Sequence, residues 1–408
     1  MQTSWLTLRK SLLLIGAMFV TGTLLAETTL SFWSWRQEDV KSYNEIIAEF
    51  EKSNPGIKVK YTAHEAKSYN TILTTALAAG SGPDIIHTRS YGSLEKISKP
   101  GYLEPLDGKV DLKLLSADEL GGTTLRADGR VYAVPFASQT LLLYYNKDVF
   151  SDKGIAIPAT WDEFKAASRK LKAAGVTPLA NGTKDGWTAE VMGGIFMPNF
   201  YGKAFFNDVK AGQTNFDDSR YVGALEKMLE LKEFMPNGFE GVDYATMKQL
   251  FVSSQAAMFA GGSWEIPGFR KAGINFGIMP APGAWTDSTR LVSSFLDGGY
   301  GVNAASKNKE AALKFIRFTA TQPFGQMLTD KLANVSTIEG AVSSDPLLAQ
   351  IAEMHNNSTP YIMLVGYRFD KPTGSTMLQN GLQQIYAGTK TPVQVAKDIV
   401  DGMKAWDN

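Results

Sequence analysis

Hydrogen-bonding side chains and tryptophans gather at a few places in this chain. Three clusters, Trp35-Arg36-Gln37, His64-Glu65 and His87-Thr88-Arg89, each follow a short alternating or continuous apolar run. Further along, Trp187 follows Gly186, Trp264 follows Gly261-Gly262-Ser263, and Asp297-Gly298-Gly299-Tyr300 interrupts an apolar segment. Aromatic faces beside planar or charged hydrogen bonders are suited to noncovalent recognition. Gly261 and Gly262 permit close approach of backbone to a ligand, and a helix starting there offers free N–H groups beside Trp264. Polar strand ends also arise because ends are solvated, but three coinciding ends favour a site. Asp162 and Glu163 resemble a catalytic pair only superficially. Adjacent helix residues do not face each other, and Thr160-x-x-Glu163 reads as a capping box. Three histidines (His64, His87, His355) and no cysteine leave little material for zinc. No catalytic residue, metal or cofactor is expected.

The elements that must carry these clusters follow from periodicity. Leu30 to Trp35 alternates as a strand. Val40, Tyr43, Ile46, Ile47 and Phe50 form one helical face, ended by Asn54-Pro55-Gly56. Ile57, Val59 and Tyr61 alternate, Tyr69, Ile72, Leu73 and Leu77 make a second stripe, and the segment GSGPDII (80–86) leads into a third strand. This β-α-β-α-β order implies a parallel sheet with right-handed crossovers. Ligands of open α/β sheets sit beyond the carboxyl ends of the strands, where the first three clusters fall. DGRVYAVPF (128–136) predicts a hairpin turn and strand, and LLLYYNKDVF (141–150) a strand running into a helix. AAMFAGGSWEI (256–266) predicts a buried strand, a glycine turn and a helix start.

Composition narrows the partners. The 408 residues suffice for two domains. Arg9 and Lys10 precede an apolar run from Leu12 to Leu25, and Ala26 precedes Glu27. That pattern predicts a cleavable signal peptide over residues 1–26, the run of about 14 residues being short of the roughly 20 that span a bilayer; a retained anchor is the alternative. Without those residues the chain has 39 basic and 41 acidic side chains, a net charge of −2. Nucleic acid and anionic membrane are therefore poor partners. The absence of cysteine leaves neither disulfides nor a lipid-modified cysteine. A soluble periplasmic monomer is the simplest expectation.

The segments LSFWSW, AAGSGPDII, GYLEPLD, YAVPF, LYYNKDVF, PATWDEF, AAMFAGGSW, MPAPG and GVNAASKNKEAALKFI occur in this order. In them the chain resembles the extracellular solute-binding proteins of ABC importers, the sugar-binding family that includes maltose-binding protein, over nearly the whole sequence after residue 26. The resemblance implies an α/β, two-lobed periplasmic binding protein fold with three crossings and a carbohydrate in the cleft, delivered to permease subunits in the membrane. It places the crossings near Pro135–Gln139, Phe295–Gly301 and Val335–Val342. Lobe one is then 27–136 plus 300–336, and lobe two is 137–299 plus 337–408. It also implies ligand positions: Trp264 and Trp187 as stacking aromatics, and Trp35, Gln37, Arg89 and Tyr91 on the first lobe. His64, Asp297, Gly298, Gly299, Tyr300 and Arg368 complete them. Gln139 stands where relatives often carry a carboxylate, a departure from the pattern. A secreted glycoside hydrolase would also be rich in aromatics, but it needs two carboxylates about 5–9.5 Å apart, and no such pair can be placed. A sugar-sensing receptor partner is the third reading. The sugar itself is not named by the sequence.

Overall fold

Two separate sheets organise the chain. The computed structural model describes residues 27–284 and 290–406; the predicted signal segment, 1–26, lies outside them. In chain order the strands are β1 (Thr28–Ser34), β2 (Ile57–Ala63), β3 (Ile85–Thr88), β4 (Val134–Pro135), β5 (Ala137–Asn146), β6 (Thr177–Leu179), β7 (Ala256–Gly262), β8 (Phe276–Met279), β9 (Val292–Leu296), β10 (Gly299–Val302), β11 (Val335–Ser336) and β12 (Ser358–Pro360). The first sheet has the order β2-β1-β3-β10-β4, and the second β12-β9-β5-β7-β6, with β8 and β11 also paired to β5. β1 runs parallel to both β2 and β3, as the β-α-β-α-β pattern predicts, and β10 closes this sheet antiparallel to β3 and β4.

Each sheet is covered on both faces, because the apolar stripes of its helices have nowhere else to go. Tyr43, Ile46, Ile47 and Phe50 of helix Val40–Ser53 pack with Phe32, Phe315 and Ile316 on one face of the first sheet. Tyr69, Leu73 and Leu77 of helix Tyr69–Ala78 pack with Trp35, Ile86 and Leu94 on the other. The second sheet divides its apolar residues in the same way between two clusters. Full burial of one such side chain is worth about 1.5–3 kcal/mol. The Thr160–Glu163 capping box forms, with Thr160 Oγ1 accepting from Glu163 N (3.3 Å) and Glu163 Oε2 accepting from Thr160 N (3.1 Å). Behind it Trp161 and Phe164 stack in the core at 5.2 Å. Of the DGRVYAVPF segment, the turn at Asp128-Gly129 is present, but only Val134 and Pro135 are strand.

The two sheets are joined where strands change partner. The chain leaves the first sheet after β4 and enters the second at β5, with Phe136 between them. It returns between β9 and β10, through Asp297 and Gly298. These two crossings lie side by side: Phe136 N donates to Gly298 O (2.9 Å) and Asp297 N to Ala137 O (3.0 Å). Near the third, β11 pairs with β5, while Thr337 Oγ1 donates to Pro135 O (3.0 Å) and Ile338 returns to the first core. Strand alternation corrects one expectation here. Tyr300 faces inward from β10, has no exposed surface, and meets Tyr43 hydroxyl to hydroxyl at 2.7 Å. It is a core residue, removed from any ligand.

Candidate functional site

On the second lobe three aromatic rings assemble from three elements. Trp187 opens helix Gly186–Phe196 and is 37% exposed. Tyr244 opens helix Tyr244–Val252; Trp264 lies in the turn after β7. Trp187 and Tyr244 meet edge-on at 4.6 Å, and the Trp264 indole N–H donates to the Tyr244 hydroxyl (3.0 Å). Lys248, one turn further along, sets its ammonium 4.4 Å from the Tyr244 ring centre. The scaffold fixes these rings. Asp185 Oδ2 accepts from Tyr244 N (3.0 Å), and Glu190, buried in the Trp187 helix, binds Ser375 (2.7 Å) and Gln379 (2.5 Å) of helix Gly374–Tyr386. Gly262 has a specific task. A Cβ there would lie 1.8 Å from the Trp264 ring, so what approaches the glycine backbone is the indole itself.

Opposite this wall, at the end of β1, sits a buried charge cluster. The Arg36 guanidinium, 1% exposed, donates from Nε to Asp39 Oδ2 (2.5 Å) and from Nη1 to Asp297 Oδ2 (3.2 Å). Arg89 lies 3.6 Å from the other Asp297 oxygen. Burial raises the Asp297 carboxyl above its ordinary range, with Arg36 and Arg89 opposing that rise. Burial likewise pushes Arg89 down to about 10, so it stays charged at neutral pH. Gly298, with φ of +123°, would bring a Cβ within 2.0 Å of Thr88 O, so only glycine lets this crossing lie against β3. At Gly299 a Cβ would stand 2.6 Å from Val134 O.

Several sequence expectations change in this light. Trp35 is 5% exposed, with its ring 4.1 Å from His87 on one side and the Arg89 guanidinium 3.7 Å away on the other. Both faces are occupied, so it supports Arg89 and presents no open stacking surface. His87 is buried between Trp35 and Tyr300 and is held neutral: burial first, then Arg36 and Arg89, drive its pKa well below the usual value. Gln139 is fully buried and spends its amide on the crossings. Its Nε2 donates to Asp297 Oδ2 (3.3 Å) and Asn334 Oδ1 (2.8 Å), and its Oε1 accepts from Ser263 Oγ (2.5 Å). An amide suits this place because it both donates and accepts, which a carboxylate does not. His64 packs 4.8 Å from Trp33, apart from the charge cluster. Tyr91 turns inward, its hydroxyl accepting from Leu296 N at 3.1 Å. Gln37 is exposed beside the cluster. Arg368 sits on the loop that closes against helix Gly92–Ser98, where a Cβ on Gly92 would lie 2.2 Å from Arg368 O, and its charge adds to the burial that lowers Lys96 and Arg89.

Three residues of this site were not among the expected ligand positions: Arg36, Tyr244 and Glu265. Arg36 carries the signal of a charge inside a strand-end cluster, and Glu265 that of an acid directly after Trp264. Tyr244 lies 20 positions from Trp264 and gives no local signal. Glu265 is 4% exposed, and burial, with help from Glu38, pushes its carboxyl up to about 8. Two surface depressions are also present. One of about 220 Å³ is lined by Tyr145, Lys147 and Arg290, and a smaller one of about 70 Å³ lies beside Arg89 and Lys96.

An arrangement of this kind binds; it holds an aromatic wall and a charged wall on two units joined by crossings. Comparison with known proteins agrees. The chain is 25% identical to the multiple sugar-binding protein of Streptococcus mutans over 98% of its own length and 97% of that protein. It is 25% identical to the galactooligosaccharide-binding protein of Bacillus subtilis, covering 90% of this chain and 87% of that one. Its fold matches that of SBP RafE in complex with raffinose with a TM-score of 0.74 and 23% identity, over 92% of this chain and all of the other (100%). The model of the bacterial extracellular solute-binding proteins matches residues 34–323, from the end of β1 through the charge cluster, the aromatic wall and the first two crossings. The chain belongs to the bacterial extracellular solute-binding protein family.

Proposed function

We propose that this protein is the periplasmic binding component of an ABC importer, taking a mono- or oligosaccharide between its lobes and delivering it to the membrane permease. The observation that carries the reading is the aromatic wall of Trp187, Tyr244 and Trp264 set across the crossings from Arg36, Arg89 and Asp297. Sugar rings offer C–H faces that stack on aromatics and hydroxyls that bind planar or charged groups. The names of the relatives support a carbohydrate. Trp187, Trp264, Gln37, Arg89, Asp297 and Arg368 are the side chains of the expected set that remain free to contribute, with Gly298 and Gly299 shaping the floor. The lobes divide as 27–136 plus 300–336 and 137–299 plus 337–408, the protein acts as a monomer, and residues 1–26 are removed on export. The role is binding without turnover.

A thermal-shift and calorimetric screen of mono-, di- and trisaccharides, raffinose and maltotriose among them, tests this. A ligand present at 100 times its Kd adds about 2.7 kcal/mol of stability. Failure of every sugar to raise the melting temperature overturns the reading, and cleavage of an oligosaccharide by the pure protein replaces it with a hydrolase. N-terminal sequencing of protein from a periplasmic extract checks the removal of residues 1–26.

A further inference from the structure

The smaller of the two depressions is lined by hydrogen-bond donors. Helix Tyr69–Ala78 gives it Asn70, Leu73 and Thr74, and helix Gly92–Ser98 gives it Ser93, Lys96 and Ile97. Each triplet has the spacing i, i+3, i+4, which sets its members on one helix face, so two helix faces meet across the gap. Arg89, the residue after β3, completes the lining. The space of about 70 Å³ has room for roughly two water molecules, and so for one carboxylate or phosphate group.

Among the described residues no carboxylate lines this depression. Lys96 has no acidic partner among them, and neither have Arg368 and Lys371 of the second-lobe loop. That loop presses on Gly92, one helical turn before Lys96, with Arg368 O 2.2 Å from where a Cβ would stand. Burial first, then the charges of Arg368 and Lys371, lower the Lys96 ammonium, so these cations lack an offsetting acid. The nearby acids are already committed. Glu95 pairs with Arg126 and Lys99, and Asp297, 3.6 Å from Arg89, is shared with Arg36. Leu73 and Ile97 supply an apolar floor, which lowers the local dielectric and strengthens any charge interaction above it. A neutral sugar hydroxyl both donates and accepts, whereas Lys and Arg only donate. Their natural complement is a group that only accepts, an oxyanion.

We propose that this depression is an oxyanion subsite and that the sugar carried by the protein is an acidic one, whose carboxylate or phosphate group is bound there by Lys96, Arg89, Ser93 and Asn70. This rests on the carbohydrate reading above and adds to it the class of sugar. Arg89 joins the subsite to the charged wall, because the same guanidinium lies over Trp35 and faces Asp297. Thr74 shapes the edge without donating, since its hydroxyl already donates to Asn70 O (2.7 Å). Arg368 and Lys371 belong to the second lobe, so an anion held by Lys96 attracts that lobe as well. Charge on the ligand then favours the lobes being together, and salt weakens the effect.

The test uses the full chain after export and calorimetry against matched ligands. Glucose, galactose and their di- and trisaccharides are each compared with the corresponding uronate and 6-phosphate, and inorganic phosphate is titrated alone. The expected result is an acidic sugar that binds at least about tenfold more tightly than its neutral counterpart, with an advantage that shrinks as salt is raised. Lys96→Gln alters an exposed side chain, so the fold is retained, and it should lower the acidic-to-neutral affinity ratio by about tenfold. The uronate and phosphate arms tell which oxyanion is preferred. Neutral sugars that bind as well as their acidic counterparts, or an acidic advantage that survives Lys96→Gln, overturn the subsite and leave the carbohydrate reading standing. So does binding of inorganic phosphate without any preference for acidic sugars. Absence of binding by every sugar, neutral and acidic, overturns both.

Discussion

Trp264 is held by three features at once: the bare backbone of Gly262 beneath its ring, the Tyr244 hydroxyl at its N–H, and the second-lobe core behind it. Only part of the ring is exposed, so it offers a fixed surface at little entropic cost on binding. Trp264→Ala should weaken sugar binding by about 1–3 kcal/mol while circular dichroism stays native. Normal affinity in that variant would remove Trp264 as a platform. Glu265 supports a second expectation. Its folded pKa of about 8 stands above the ordinary carboxyl value of 4.5, so the folded protein keeps a proton that the unfolded chain gives up. Stability from this group is therefore complete below about pH 4.5 and is lost as pH rises through about 8. Glu265→Gln cannot ionise, so the sugar-free variant should match wild type near pH 4 and exceed it at pH 9, by on the order of 2–4 kcal/mol. Urea denaturation at the two pH values measures this; equal stabilities at pH 9 would mean that the carboxyl ionises freely in the fold.

The elements carry these residues to their places through turns that only certain sequences tolerate. Gly298 lies between β9 and β10 at a φ of +123°, with Thr88 O 2.0 Å from where a Cβ would be. Backbone, unlike a flexible side chain, cannot move aside. Gly298→Ala should thus cost more than about 2 kcal/mol, read as a lower urea midpoint at unchanged slope. A wild-type midpoint would show that the crossing has room to shift. Much at this scale was legible in sequence. Period and order give the β1–β3 sheet with its helices, and glycine pairs mark both the Trp264 turn and the second crossing. What was not legible depends on direction. Tyr300 adjoins Gly298 and Gly299 and so reads as part of the ligand segment, yet strand alternation turns it into the core. Gln139 reads as a weakened ligand position because its three partners, Asp297, Asn334 and Ser263, come from distant parts of the chain. Trp35 reads as an open face because nothing local reveals that Arg89 covers it.

At the scale of the whole molecule, the described residues of the two lobes also meet through a small contact away from the crossings. The loop before helix Gly374–Tyr386 lays Arg368 O against Gly92 and places Phe369 under the Arg126 guanidinium, 3.6 Å from the ring centre. This contact exists only when the lobes are together, so it biases the hinge towards closure. Arg126 is anchored from below by Glu95 (2.7 Å), but its side chain is half exposed, which limits the stacking to about 0.5–1 kcal/mol. That energy amounts to a two- to fivefold change in the closed-to-open ratio. If the sugar is bound by the closed form, its apparent affinity follows the closed fraction. Phe369→Ala should then raise the radius of gyration of the sugar-free protein in small-angle scattering and weaken sugar binding by no more than about fivefold. At saturating sugar the variant and wild type should share one compact shape, because ligand contacts with both walls outweigh so small a bias. The Phe369 ring lies under Arg126 of the first lobe, so lost affinity without any change in the free shape would contradict the mechanism. An unchanged radius of gyration in wild type between free and saturated states would show that binding proceeds without hinge movement.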